Sequence, residues 1–309
     1  MKNKIVIIIA FAALISVNIY GRNNDSERAP YAWPWNQGLT WHIGADAVTS
    51  YLLRGWNYGG LAIEPHASIG YAGAEISAWA NLGAKDLSFL NFDPQLNITI
   101  SYTIAGLSIG VTHLHYFNSK YFDFKGKTYE EYLNGTGNFN QTEVFAVYNG
   151  PEKFPIRLSW YTYVAGNDMF PDKEHPIEGQ TIIDKTTGKP VIDENGDPEK
   201  VYEMKRTFST YIELAYKVAL PLGFYITPAI GVSPWKGYYT RNDTKFAVKN
   251  LELRAERPFK IFNFMECNVW GVVMLDCYKV TAQNFITTID NTWSNQRLNF
   301  ALGAGIKFY

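Results

Sequence analysis

Ionisable side chains recur at alternate positions of several short segments, as in Glu64 with His66, Glu213 with Lys217 two steps on, and Glu252, Arg254 and Glu256. Asp46, Glu75, Glu143 and Arg157 occupy comparable places in their own segments. If these segments form the wall of a cylinder and this row faces inward, two kinds of chemistry follow. Rings of charge inside a pore set its selectivity for ions and solutes, whereas opposite charges in a confined space neutralise one another. The signs here are mixed, which favours neutralisation. Arg54 follows the first such segment, where a guanidinium could select anions or brace the adjacent loop; bracing is the preferred reading.

Other combinations point to reactive chemistry less well. His113 and His115 share one face of a segment, and Ser77, Ser101, Ser108 and Ser159 are scattered, but no G-x-S-x-G elbow is present. A His-x-His pair without further ligands nearby is a weak metal signal, and these histidines read as surface or lumen residues. Asp193-Glu194-Asn195-Gly196-Asp197 resembles a calcium loop only superficially. Its sixth position is Pro198 where Gly is required and its twelfth is Met204 where a bidentate Glu is required. It reads as a polar turn, and no cofactor or metal is expected. With 28 Lys and Arg against 29 Asp and Glu, and no basic stripe, nucleic acid is not an expected partner.

The elements that would carry these residues are strands. From Gln95 to Ile104, Leu96, Ile98, Ile100, Tyr102 and Ile104 alternate with Gln95, Asn97, Thr99, Ser101 and Thr103, and a strand sends the two sets to opposite faces. Read this way, the chain holds about twelve strands: 39–53, 60–71, 74–82, 95–105, 107–117, 141–148, 155–165, 206–218, 223–233, 246–256, 265–275 and 297–309. Short links alternate with long ones. The short ones include Ala72-Gly73, Ala105-Gly106 and the turn from Arg257 to Phe264; the long ones run 55–59, 83–94, 118–140, 166–205, 234–245 and 276–296. That parity marks an all-β, antiparallel up-and-down transmembrane barrel with short periplasmic turns and long extracellular loops. The pattern alone leaves open which row faces in.

The two ends fit export. Lys2 and Lys4 precede the apolar run Ile5–Val17, so residues 1–21 read as a signal peptide, 22–37 as a periplasmic tether and 38–309 as an outer-membrane β-barrel in contact with lipid. The last strand ends in Phe308 and Tyr309, the kind of aromatic terminus through which barrel-assembly machinery is engaged. Rings including Trp41, Trp56, Tyr71, Trp160, Phe224, Trp235, Tyr238 and Phe300 fall near strand ends and are read as interfacial girdles. Cys267 and Cys277 lie near opposite ends of one strand, roughly 30 Å apart at the rise of a strand, so both thiols should be free.

The stretch Thr49-Ser50-Tyr51-Leu52-Leu53-Arg54-Gly55, followed by Ile63-Glu64-Pro65, Ser68-Ile69-Gly70-Tyr71 and Ala78-Trp79-Ala80, resembles the opening of the TorF-type porin family. Further resemblance lies at Gly110-Val111, Tyr116-Phe117, Glu143 with Tyr148, and Tyr211-Ile212-Glu213-Leu214. Loops 118–140 and 166–205 are longer than the family pattern. The resemblance implies a porin-like outer-membrane barrel without catalytic residues. The expected function is passive passage of small hydrophilic solutes. The alternatives are a closed barrel acting as a scaffold through its loops and, third, a lipid-modifying enzyme.

Overall fold

The computed structural model describes residues 38–57, 60–83, 95–116, 126, 128–130, 139–183, 187–192, 196–240, 245–277 and 298–309. The expected signal peptide and tether lie outside the described residues, as do parts of the long loops and of the 193–197 turn. In chain order the strands are β1 (Thr40–Val48), β2 (Leu52–Leu53), β3 (Trp56–Asn57), β4 (Ala62–Tyr71), β5 (Ala74–Gly83), β6 (Gln95–Ile104), β7 (Leu107–Tyr116), β8 (Gln141–Asn149) and β9 (Ile156–Gly166). They continue with β10 (Met169–Thr181), β11 (Lys200–Arg206), β12 (Thr210–Tyr216), β13 (Val218–Ala219), β14 (Tyr225–Ser233), β15 (Ala247–Phe262), β16 (Met265–Asp276) and β17 (Leu298–Phe308).

Twelve of these close on themselves, all antiparallel, with β13 as a short continuation of β12. Neighbours in sequence pair around the wall, and β1 closes the ring against β17 through pairs such as Ala45↔Ile306 and Asp46↔Gly305. Closure leaves no unpaired edge. The strands meet through tight turns at one end and long loops at the other. Several tight turns need two successive residues at positive φ, the type I′ geometry whose twist matches that of flanking strands. Ala72 and Gly73 (φ 49° and 86°) and Ala105 and Gly106 (49° and 81°) supply it.

The structure decides which row faces out. Ile69, Ile76, Ile100 (61% exposed), Ile109, Leu214, Leu253 and Leu302 (65%) stand on the outside, while Glu64, Ser68, Asn81, Thr112 and Glu143 (5%) are buried within. The outer surface is therefore apolar and the lumen polar, the inverse of a barrel folded in water. Exposed rings, Tyr71, Tyr148, Phe154, Tyr216, Phe224 and Phe264 among them, mark the rim that carries the tight turns.

Several boundaries differ from the sequence reading. The first strand stops at Val48 rather than continuing to residue 53, because Thr49 caps it by accepting from the Leu302 amide and donating its own to the Leu302 carbonyl. The chain then turns inward. The fifteenth strand runs on to Phe262, so the expected 257–264 turn shrinks to Asn263-Phe264. Residues 166–205 are not a plain loop: β10 and β11 pair with each other as a separate hairpin outside the barrel sheet. Trp56 and Tyr238, read as girdle residues, lie in the interior, packed against the buried cluster Leu114, Tyr163, Tyr211 and Tyr239. His113 and His115 belong to the outward row near the loop end yet are buried, so they line neither surface nor lumen. Both cysteines are free.

Apolar residues exposed on the wall are stable only against hydrocarbon. Replacing Ile100 with Arg should make folding into lipid vesicles less favourable by about 2–4 kcal/mol, the cost of a charge near mid-depth. Ile63→Arg, nearer the loop-end rim, should cost less. Equal and negligible losses at both positions would refute the assignment of faces.

Candidate functional site

The segment after β1 builds the site. Leu52-Leu53 and Trp56-Asn57 form a miniature hairpin around Arg54 and Gly55, both at positive φ (50° and 82°). A tether holds its base, since Ser50 Oγ donates to Asn57 Oδ1 (2.7 Å) and Asn57 Nδ2 donates to Asn299 Oδ1 on β17 (3.0 Å). The hairpin tip thus reaches into the lumen at the loop end.

Arg54 at that tip donates to both carboxylate oxygens of Glu143 on β8, at 2.7 and 2.9 Å, and to Tyr239 Oη at 2.7 Å. Its guanidinium lies over the Tyr161 ring, 3.8 Å from the centroid. A fork of planar donors matches a carboxylate in a way a lysine cannot. Burial opposes the charge on Arg54, but the adjacent Glu143 carboxylate outweighs it and holds the guanidinium pKa well above its ordinary value. Burial pushes Tyr239 up to about 12, so its hydroxyl stays protonated at neutral pH and serves Arg54 as an acceptor. Tyr239 in turn stacks on Tyr163 and packs on Tyr211, at 5.8 and 5.5 Å between centroids.

Tyr239 comes from a second inward loop, residues 234–240, pinned at its root. Asp168, fully buried, accepts from the Ser209 amide (2.9 Å), Ser209 Oγ (2.5 Å) and Thr207 Oγ1 (2.9 Å), while the Tyr238 amide donates to Ser209 Oγ. The two loops together make a plug. A third attachment is Lys249, 0% exposed, whose ammonium pairs with Asp276 at 2.9 Å and lies 3.9 Å from the Trp56 ring centroid. Gly55 permits this, because a Cβ there would meet the Lys249 side chain at 2.7 Å.

Lys249, Asp168, Asn250, Tyr163 and Tyr239 were not singled out from the sequence, and Tyr211 entered only through the family resemblance. Strict alternation puts Lys249 on the outward row, since Asn250, Glu252 and Arg254 point in. The pairing of β14 with β15 slips between Gly231 and Val232, leaving Lys249 as the extra residue of a bulge. A bulge re-aims a side chain and breaks the alternation on which the reading rests.

The remaining charges line the lumen, Asp46 and Glu64 in register with each other near the loop end and the others further along the wall. His66 Nδ1 lies 3.9 Å from Asp46. Glu64 accepts from Asn81 Nδ2 at 3.0 Å, and Glu75 accepts from Ser68 Oγ, which also contacts His42 Nδ1. Lys217 pairs with Glu256 at 2.8 Å and faces the Tyr225 ring. Arg254 pairs with Glu256 at 3.1 Å and lies 4.3 Å from the Trp270 centroid. Glu213 is contacted by Tyr211 Oη at 2.8 Å, and Arg157 reaches Tyr161 Oη at 3.4 Å. Glu252 stands in the same region. The structure therefore gathers Arg54 and Glu143 in the plug and spreads the others along the wall. Among the described residues, no His, Cys, Asp and Glu group has metal-binding geometry.

The pair at the hairpin tip should dominate plug stability. Arg54→Ala leaves a buried carboxylate uncompensated, which costs roughly 3–5 kcal/mol. The double variant Arg54→Ala/Glu143→Ala should lose less than the single one in urea unfolding of the refolded protein. Additive losses would show that the two side chains act independently.

No family model and no curated protein sequence matches the chain. Among solved structures it is similar to a Pseudomonas aeruginosa FadL homologue, at 7% identity with 88% of this chain and 75% of that one covered and a TM-score of 0.35. It is also similar to the Pseudomonas putida toluene transporter TodX (8%, 94% and 94%, TM-score 0.34) and to Salmonella typhi OmpF in complex with daunomycin (9%, 88% and 97%, TM-score 0.31). These are outer-membrane β-barrel proteins, and at such scores the likeness carries nothing about lumen or solute.

Proposed function

We propose that the chain is a porin-like barrel of the bacterial outer membrane that passes small hydrophilic solutes passively, through a lumen narrowed at the loop end by the Arg54 plug. One observation carries this reading: an apolar outer wall encloses an inner face of charged and small polar residues. A wall of this polarity is at its free-energy minimum only with hydrocarbon outside. Towards the turn end the inner face is wet, since Arg157 is exposed and Glu252, Arg254 and Glu256 are partly so. Twelve strands lie between eight, which side chains fill, and sixteen, which leave an open channel. The plug then sets the conductance. The C-terminal Phe308 ends β17 on the outward row, where assembly machinery could read it together with Tyr309.

A second reading is favoured by the plug itself. Tyr211, Tyr239 and Lys249 are almost wholly buried, so the loop end is packed, and the β10–β11 hairpin projects beyond it. A closed barrel displaying that hairpin as a binding scaffold fits this geometry.

Planar-bilayer recording of the refolded protein separates the two. The channel reading expects discrete steps from the wild type and larger or longer ones from Arg54→Ala/Glu143→Ala, with no change on excising residues 170–205. Absence of steps from every variant rejects passage and leaves the scaffold.

A further inference from the structure

Most lumen charges are already answered by the protein. Arg54 has Glu143, Lys249 has Asp276, Lys217 and Arg254 share Glu256, Asp46 faces His66, and Glu64 and Glu75 accept from Asn81 and Ser68. Two are left over. Arg157 makes no ion pair and only a long contact with the Tyr161 hydroxyl, and Glu252 has neither ion pair nor hydrogen bond. Both side chains reach water inside the barrel.

These two residues share one level of the wall. Arg157 pairs in register with Ala215, Ala215 with Ala229, and Ala229 with Glu252, across β9, β12, β14 and β15. At about 4.8 Å per strand the Cα positions lie roughly 14 Å apart along the curved wall, a span that two long side chains narrow from both sides. On the two intervening strands the positions in register are alanines. Arg254 and Arg157 both act on Glu252 electrostatically, and neither closes into a pair with it. Glu213, one inward position above Ala215, adds negative charge on the same wall and also acts on both Arg157 and Glu252. Above it, a Cβ on Gly231 would run into Tyr211 and Asn250, whose side chains meet at 2.9 Å and roof the level off from the plug.

We propose that Arg157 and Glu252 form a binding site for a small zwitterionic solute, its carboxylate on the Arg157 guanidinium and its ammonium on Glu252 beside Glu213. Both charges are hydrated and open to a solute, and a solute bearing both charges answers both residues at once, which neither an anion nor a cation does. The inference rests on the lumen being water-filled from the turn end, as the porin-like reading has it, and names the solute class of that lumen. Binding must be weak, because a solute held too tightly would not leave.

Ligand-observed saturation-transfer NMR on the full refolded protein in micelles tests this with three probes that each carry one methyl: L-alanine, acetate and methylammonium. Alanine should bind about tenfold tighter than either half-ligand, a difference of about 1.4 kcal/mol. Arg157→Gln should abolish the preference for alanine and the acetate signal while keeping that of methylammonium, and Glu252→Gln should do the converse. The retained half-ligand shows that each variant is folded. Equal binding of all three probes, or loss of all three in either variant, overturns the site. Alanine binding without any conductance would sustain the site and reject passage, and conductance without alanine preference would do the reverse.

Discussion

A charge removed from water must meet an opposite charge in good geometry, and in this barrel that requirement is concentrated at Arg54. Its guanidinium is buried at the tip of a two-residue turn, with Glu143 on its fork and Tyr161 beneath its face. Because β8 holds the carboxylate on a rigid wall, the pair fixes the position of the whole inward segment that bears Arg54. Tyr239 is placed by the same guanidinium, and Tyr239 organises Tyr163 and Tyr211. Loop, second loop and wall are thus joined through one cation.

The need for a plug follows from strand number. A wall of twelve strands encloses more space than its own side chains fill, and the inward row here includes many small residues, Ser159, Ala215, Ala229, Gly231 and Gly303 among them. Chain from the loop end occupies part of that space. Inward loops bring backbone and side-chain polar groups with them, and each needs a partner. Ser50 with Asn57, Asn57 with Asn299, and Asp168 with Ser209 and Thr207 supply those partners. Among the described residues two of the wall's three register shifts adjust it at its loop end, one exposing Lys249 to Trp56 and Asp276, the other between Thr142 and Glu143 opposite Tyr163. Both lie where the plug meets the wall.

A polarity of charge pairing results along the axis. Near the loop end charges are closed into pairs within a packed cluster; nearer the turn end they are wetter, and Arg157 and Glu252 close into no ion pair. Arg54 and Arg157, alike in sequence context as single arginines flanked by apolar residues, therefore have different surroundings.

Much of the wall was legible without coordinates, because a strand with one face in water and one in an apolar medium must alternate with a period of two, and the segments 95–105 and 107–117 show this with little interruption. Loop parity was legible for the same reason: an up-and-down barrel sorts its connections by end. Three things were not. Alternation is symmetric between a barrel folded in water and one folded in lipid, so only the closed ring shows Ile100 outside and Thr99 within. A bulge shifts the phase of a strand by one, so Lys249 could be placed only by its neighbours on β14 and β16. The path of residues 49–57 and 234–240 depends on long-range partners, Glu143, Asn299 and Ser209, that no local pattern encodes. Composition and periodicity determined that alternating strands form the wall of a cylinder; which row lines it and which side chains fill it was decided by contacts between residues far apart in the chain.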